Sequence, residues 1–205
     1  IPGTTDTVVR TNIEKYSGKK LGQFGLGMNP EFLREGSAVI DFMEPDRIVF
    51  GYDDSQTLEI LNKIYEPWGC DKISVNTRTA EMIKYASNSL LATQISVTNE
   101  LANIVTNIEG IDISDVMEGV HLDKRWSPIL KDNKRISPKI LTYLLPGCGF
   151  GGSCFPKDVE ALRNKAYEVG IEPLILNAVL RVNDNQPLEI IRLLKKSYKN
   201  LKNKK

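Results

Sequence analysis

Cys154 closes the run of residues best suited to chemistry, Gly147-Cys148-Gly149-Phe150-Gly151-Gly152-Ser153-Cys154-Phe155-Pro156-Lys157-Asp158. Proline suits the first turn of a helix, where a backbone N–H has no intrahelical partner, so Pro156 places Cys154 at or just before a helix N-terminus. There the helix dipole favours the thiolate, which is the nucleophilic form, and Lys157 adds positive charge nearby. Asp158, four residues after Cys154, is expected on the same face as a proton acceptor or orienting group. The glycines at 147, 149 and 152 also satisfy a G-x-G-x-x-G spacing. A dinucleotide fingerprint requires a preceding strand and a second strand ending in an acid about 20 residues on. The residues leading to Glu172 are polar and helical in pattern, so that reading is set aside. Four glycines in six positions are read instead as letting backbone pass close to a ligand. A small residue packed at a tight turn is the alternative for Cys154 that the glycines alone leave open.

Two further groups of residues have the types that could assist such a thiol. Lys84 and Asn88, in Glu81-Met82-Ile83-Lys84-Tyr85-Ala86-Ser87-Asn88, are four residues apart, so an ammonium and an amide project from one face of a helix. Both are donors to a developing oxyanion, although such a pair on a helix is more often simply solvated. Glu31, in Asn29-Pro30-Glu31-Phe32-Leu33-Arg34-Glu35-Gly36, follows a strand candidate, the position at which α/β proteins place ligands. It would serve equally well to cap or solvate the following turn.

The elements that must position these residues change character along the chain. Leu21 to Asn29, Arg47 to Gly51 and Lys72 to Val75 read as strands, and Thr4 to Tyr16 and Ser55 to Trp68 have helical spacing. Alternation of this kind predicts a parallel α/β sheet. The chain opens on the turn Pro2-Gly3-Thr4-Thr5 with no strand before it, so it is expected to start inside a domain. From Thr77, Met82, Ala86, Ser89, Leu90, Thr93, Val97, Leu101 and Ile104 recur at three- and four-residue steps without glycine or proline until Gly110, which predicts one long helix. A shorter helix over Ile113 to Gly119, a polar stretch to Pro138, a glycine loop from Pro146 to Ser153, a helix from near Pro156 and another from near Pro173 toward Lys205 complete the reading. The expected division is residues 1–75 as the end of an α/β domain and residues 76–205 as a helical one.

Composition narrows the classes. The 205 residues carry 27 Lys and Arg against 26 Asp and Glu, so no overall field recruits nucleic acid or an anionic membrane. No apolar run approaches the roughly 20 residues of a membrane-spanning helix, and the start lacks a leader pattern, so a cytoplasmic protein is expected. Three cysteines, Cys70, Cys148 and Cys154, and one histidine, His121, lack the paired close spacing of a zinc site, and no metal is expected. The last eleven residues hold six lysines and no acid, which is read as the solvated end of a helix.

Taken together, Asn29-Pro-Glu-Phe-Leu-Arg-Glu-Gly36, Pro45-Asp-Arg47, Glu81 to Asn88 and Gly149-Phe-Gly-Gly-Ser-Cys-Phe-Pro-Lys-Asp158 resemble the UDP-glucose and GDP-mannose dehydrogenase family in order and approximate spacing. The resemblance covers essentially the whole chain. It implies the later part of a Rossmann-like NAD domain followed by a helical dimerisation domain of the 6-phosphogluconate-dehydrogenase type, acting as a homodimer on a nucleotide sugar. The implied reaction is a four-electron oxidation of the sugar C6 alcohol to a carboxylate with reduction of two NAD. In it Cys154 matches the nucleophile that holds a thiohemiacetal and then a thioester. Lys84 and Asn88 match the residues that stabilise charge on the substrate oxygen. Asp158 matches the group assisting deprotonation and water activation, and Glu31 the general base of thioester hydrolysis. Thr5 lies where the family places a hydroxyl near the reacting centre, and Glu35 where a glutamate faces the cofactor, with Lys157 and Cys154 also on the cofactor side. Phe32, Leu33, Tyr143, Leu144 and Gly149 match the lining of the sugar and uridine pocket. Arg125 matches an arginine inserted by a neighbouring subunit, with tryptophan at 126 where the family usually has a small aliphatic residue.

Phe150 before Gly-Gly-Ser-Cys, and Phe155-Pro-Lys after it, resemble the UDP-glucose branch, with GDP-mannose as the alternative. The UDP-N-acetylmannosamine branch usually carries histidine immediately before its cysteine. A rival of another class is a non-catalytic helical dimerisation module, which would have no use for an accessible, activated thiol. Because the glycine turn that cradles a dinucleotide pyrophosphate has no counterpart before Ile1, this stretch alone is expected to be catalytically silent.

Overall fold

The structure, a computed structural model, describes residues 1–198. These divide into two compact units, Ile1–Ser87 and a second beginning at Asn88. No helix among the described residues is long and apolar enough to cross a membrane.

In the first unit a π-helical turn, Thr5–Val9, runs into α1 (Arg10–Ser17). There follow β1 (Gly27–Met28), α2 (Ala38–Met43), β2 (Arg47–Tyr52), α3 (Ser55–Ile64) and β3 (Asp71–Val75), and then the start of α4 (Thr77–Val105). Strand β2 is central in a three-stranded sheet of order β1-β2-β3 and is buried from Ile48 to Gly51. Its continuous apolar run is what a strand covered on both faces requires. Helix α3 begins where the Asp54 side chain accepts the Thr57 N–H at 2.8 Å, satisfying one orphan donor of its first turn. Gly51 is forced: a Cβ there would lie 2.7 Å from Ala80 Cβ and 2.9 Å from Thr77 Cα.

Two expectations fail in this unit. The strand read from Leu21 to Asn29 is only Gly27–Met28, because residues up to Ser17 are helical and Gly22, with φ 91°, turns the backbone away from extended geometry. The sheet is mixed rather than parallel: β2 and β3 pair in parallel around α3, whereas β1 pairs antiparallel to β2, with Gly27 opposite Tyr52. A crossover back to the start of a parallel neighbour needs a helix comparable in length to the strand. The six-residue α2 rises only about 9 Å. Helix α2 itself was not anticipated.

In the second unit α4 continues to Val105 and is followed by α5 (Ile113–His121), a 3₁₀ turn (Lys139–Leu144), α6 (Phe155–Glu168) and α7 (Leu174–Ser197). Asp112 caps α5 by accepting the Ser114 N–H at 2.7 Å. The expected helix toward Lys205 is therefore observed as far as Ser197, and residues 199–205, with most of the lysine run, lie outside the described residues. The main core joins Ala92, Phe150, Val159 and Val179 with Ile95, Phe155, Leu176 and Leu180 packed against them. A second cluster holds Met117, Leu141 and Leu144 with Ile113 and Trp126.

Helix α4 turns inward a face of small and polar residues, among them Ala92, Ser96, Asn99 and Ala102. Its large apolar residues from the predicted stripe, Leu90, Val97, Leu101 and Ile104, are exposed, Leu90 by 64%.

Candidate active site

Cys154 is the N-cap residue of α6, exposed and in no disulfide, with Pro156 within the first two helical positions. Its carbonyl accepts the Asp158 N–H at 2.9 Å, closing the first turn of the helix. Its side chain makes no cap hydrogen bond and lies 3.7 Å from Ser153 Oγ. An exposed thiol over the amide end of a 14-residue helix can attack an electrophilic carbon. The residues before it turn with left-handed glycines at Gly149 (φ 94°) and Gly152 (φ 72°).

Asp158 sits one turn into the same helix but is buried, 2% exposed. One oxygen accepts the Asn88 amide N–H at 2.6 Å and the other pairs with Lys157 Nζ at 2.9 Å. The lysine therefore serves the aspartate, and the charge expected beside Cys154 is directed to a neighbouring carboxylate. Asn88 gives an amide N–H to Asp158, a partner the helical spacing with Lys84 did not announce. The physical reason is the cost of leaving a buried carboxylate without donors.

In the first unit Lys84 Nζ bonds Glu31 Oε1 at 3.1 Å and lies 5.5 Å from the centre of the Phe32 ring. Arg47 lies 4.0 Å from the same ring centre, so two cations flank Phe32. Glu31 turns its other oxygen back to the Leu33 N–H at 2.7 Å, a local turn that fixes its carboxylate. Leu33 and Glu35 are exposed. Thr5 is buried, and its hydroxyl donates to Glu81 Oε1 at 2.6 Å while its N–H reaches the same oxygen at 2.8 Å. Glu81 Oε2 takes the Gly3 N–H at 2.5 Å. Glu81, 3% exposed, is thus the anchor of the opening turn. Sequence reasoning quoted it within a motif and gave it no role, because its partners, two backbone N–H groups and the Thr5 hydroxyl, lie more than seventy residues upstream.

A cavity of about 330 Å³ in the second unit is lined by Ile95, Thr142, Tyr143, Leu145, Gly147 and Gly149. Tyr143 and Gly149 are therefore on its wall. Leu144 is not: it is buried beside Met117 and Leu141, because the 3₁₀ turn directs it inward between two outward neighbours. Trp126 packs on that same cluster. Arg125, fully exposed, is held by the carboxylate of Asp123, its Nε 3.0 Å from Oδ1. The guanidinium holds the Asp123 carboxyl down to about 2, and the aspartate raises the arginine in turn.

Amides of α4 and α7, two of them buried, converge on the glycine loop. Asn99 Oδ1 accepts the Gly147 N–H at 2.8 Å, Gln186 Nε2 donates to the Gly147 carbonyl at 2.9 Å, and Asn183 Oδ1 accepts the Phe150 N–H at 2.7 Å. Asn103 Nδ2 supports Gln186 Oε1 at 3.0 Å. These residues carried no signal in the sequence beyond being polar on helices otherwise read as apolar. Among the described residues no group of three or more His, Cys, Asp or Glu is placed to hold a metal ion.

Against known proteins, residues 78–185 match the family model for the UDP-glucose/GDP-mannose dehydrogenase family, central domain. Residues 1–69 match the model for the same family's NAD binding domain. The UDP-glucose 6-dehydrogenase AglM of Haloferax volcanii is 40% identical over 204 residues, 97% of this chain and 44% of the relative. The GDP-mannose 6-dehydrogenase of Pseudomonas aeruginosa is 40% identical over 187 residues, 91% of this chain and 40% of the relative. The structure of a UDP-glucose dehydrogenase from Pyrobaculum islandicum superposes with a TM-score of 0.82 at 40% identity, covering 96% of this chain and 42% of that one. The chain thus spans less than half the length of the relatives it matches.

Proposed function

The chain belongs to the UDP-glucose/GDP-mannose dehydrogenase family, and from that premise we propose that it supplies the nucleophile and the proton-handling groups for NAD-dependent oxidation of UDP-glucose to UDP-glucuronate. The observation that carries the reading is the exposed Cys154 capping α6, one turn from the buried Asp158–Asn88 pair. GDP-mannose is the alternative substrate, and the 40% identity to a GDP-mannose enzyme keeps it in the test.

The roles follow from the chemistry. Once the C6 alcohol has lost a hydride and its hydroxyl proton to become an aldehyde, Cys154 Sγ adds to the carbonyl carbon and the oxygen takes a proton, giving a thiohemiacetal. Loss of a second hydride from that carbon and of the hydroxyl proton leaves a thioester. Water then adds to the acyl carbon, the C–S bond breaks, and Cys154 departs as thiolate while the carboxylate keeps the oxygen of water. Lys84 is the proposed donor to the substrate oxygen, since ammonium stabilises charge that develops there. Asn88 acts through Asp158, whose carboxylate it holds for deprotonation and water activation. Glu31 is the proposed base for thioester hydrolysis. NAD, when bound, supplies the hydride acceptor for both oxidations. Glu35, exposed beside Gly36 with its left-handed backbone (φ 88°), is the residue proposed to face that group. The Thr5 hydroxyl, expected to face the reacting centre, is committed to Glu81 and fits a structural role better.

The homodimer belongs to the same proposal. Leu90, Val97, Leu101 and Ile104 form an uncovered apolar stripe along α4, which a symmetric copy would cover. The reduced thiol that the mechanism requires favours a cytoplasmic setting. The test is alkylation of the full-length protein by iodoacetamide, read residue by residue by mass spectrometry. UDP-glucose is expected to slow labelling of Cys154 and not of Cys70. Equal labelling with and without the sugar nucleotide, or protection by GDP-mannose alone, would overturn the corresponding part.

A further inference from the structure

We propose that Asn99, Asn183 and Gln186 are positioning residues that set the loop 147–150 in the register at which it lines the sugar-nucleotide cavity and delivers Cys154. The inference deepens the reading given under Proposed function and rests on it. Three side-chain amides from two helices fix the loop at both ends through three backbone groups, the Gly147 N–H, the Gly147 carbonyl and the Phe150 N–H. Asn99 and Gln186 are buried, at 1% and 4% exposure, so their bonds are shielded from competing water and costly to leave unmade. The clamp is also tight. Gly149 lies between the clamped residues with φ 94°, and a Cβ there would meet Asn183 Oδ1 at 2.6 Å. Gly147 and Gly149 are both on the cavity wall, and four residues after Phe150 the chain reaches the nucleophile. An ordinary buried polar network would only stabilise the fold. Phe150 packs its ring in the core, and the amides fix the glycine residues before it, which have no side chains to pack.

The geometry predicts where each substitution acts. Asn183 is half-buried, and Asn183→Asp keeps the oxygen that accepts the Phe150 N–H, whereas Asn183→Leu removes it. Gln186→Met conserves length and loses the bond to the Gly147 carbonyl. In the full-length protein, steady-state NADH formation is measured at a temperature well below each variant's unfolding. Asn183→Leu and Gln186→Met are expected to raise KM for UDP-glucose and lower kcat, reducing kcat/KM by about 10-fold or more, the scale of one lost buried hydrogen bond to an oriented group. Asn183→Asp is expected to recover to within about 3-fold of the parent. Wild-type KM and kcat in the Leu and Met variants, or an Asp variant as impaired as the Leu variant, would overturn the assignment. If a helix variant fails to fold, Gly149→Ala tests the same contact from the loop side, with the same loss expected and wild-type kinetics contradicting it. Cys154→Ser in the same assay separates the two levels: turnover by that variant sinks the underlying reading, while its silence combined with wild-type Asn183→Leu sinks only the clamp.

Discussion

Replacing Glu81 by glutamine should release the opening turn without unfolding the unit that contains it. The carboxylate takes three donors, the Thr5 N–H and hydroxyl on Oε1 and the Gly3 N–H on Oε2. An amide offers only one oxygen. If that oxygen stays on Thr5, the new N–H₂ faces the Gly3 N–H, donor against donor, and the Thr5 bonds lose their charge assistance. A buried hydrogen bond to a charged group contributes about 1.5–3 kcal/mol. At about 1.4 kcal/mol per decade, the opening equilibrium of the Gly3–Thr5 turn rises about 10- to 100-fold. Native-state hydrogen exchange reads this directly as faster exchange at Gly3 and Thr5. The Thr57 amide, capped by Asp54 in the same unit, is the control and should keep its rate. Unchanged protection at Thr5, or an equal loss at Thr57, would refute the reasoning, the first by showing that Glu81 does not hold the turn and the second by showing global destabilisation.

Gly51→Ala places a methyl carbon against Ala80 Cβ and the Thr77 backbone, so urea unfolding followed by Trp68 fluorescence should show a loss of about 1–3 kcal/mol, and an unchanged midpoint would contradict the packing. The Asp123 carboxyl should titrate near 2 by NMR, and Arg125→Ala should return it toward about 3.9. Because its folded value is depressed, any stability it adds is present above about pH 4 and is lost as pH falls toward 2; a titration unaffected by the substitution would rule out the guanidinium as its cause.

Much of the scaffold was legible where a single local cause decides it. The absence of glycine and proline over residues 77–105 reads directly as α4, and Pro156 marks the start of α6 and so the position of Cys154. Strand β2 was readable because its burial on both faces demands a continuous apolar run. The shortness of β1 and its antiparallel pairing were not, since both depend on glycine turns and on the length of a helix, α2, that the sequence pattern did not announce. In the candidate site the residue types were legible and their partners were not. Lys157 was placed beside the thiol by proximity in sequence, yet the buried carboxylate next door claims it. Asn88 was paired with Lys84 by helical spacing and is held instead by Asp158, 70 residues away. Spacing reports which side chains share a face. It does not report which buried charge needs a donor, and that need decided both.

The central claim is that Cys154 is the atom on which the oxidation passes through a covalent state. Its most direct test is NADH formation from UDP-glucose by the full-length protein carrying Cys154→Ser, beside Cys148→Ser as the control in the same loop. Serine is a far weaker nucleophile without its own activating base, so the first variant should fall by about 10³-fold or more while still binding UDP-glucose. The second should remain near the parent rate. Wild-type turnover by Cys154→Ser, or an equal loss in Cys148→Ser, would contradict the account.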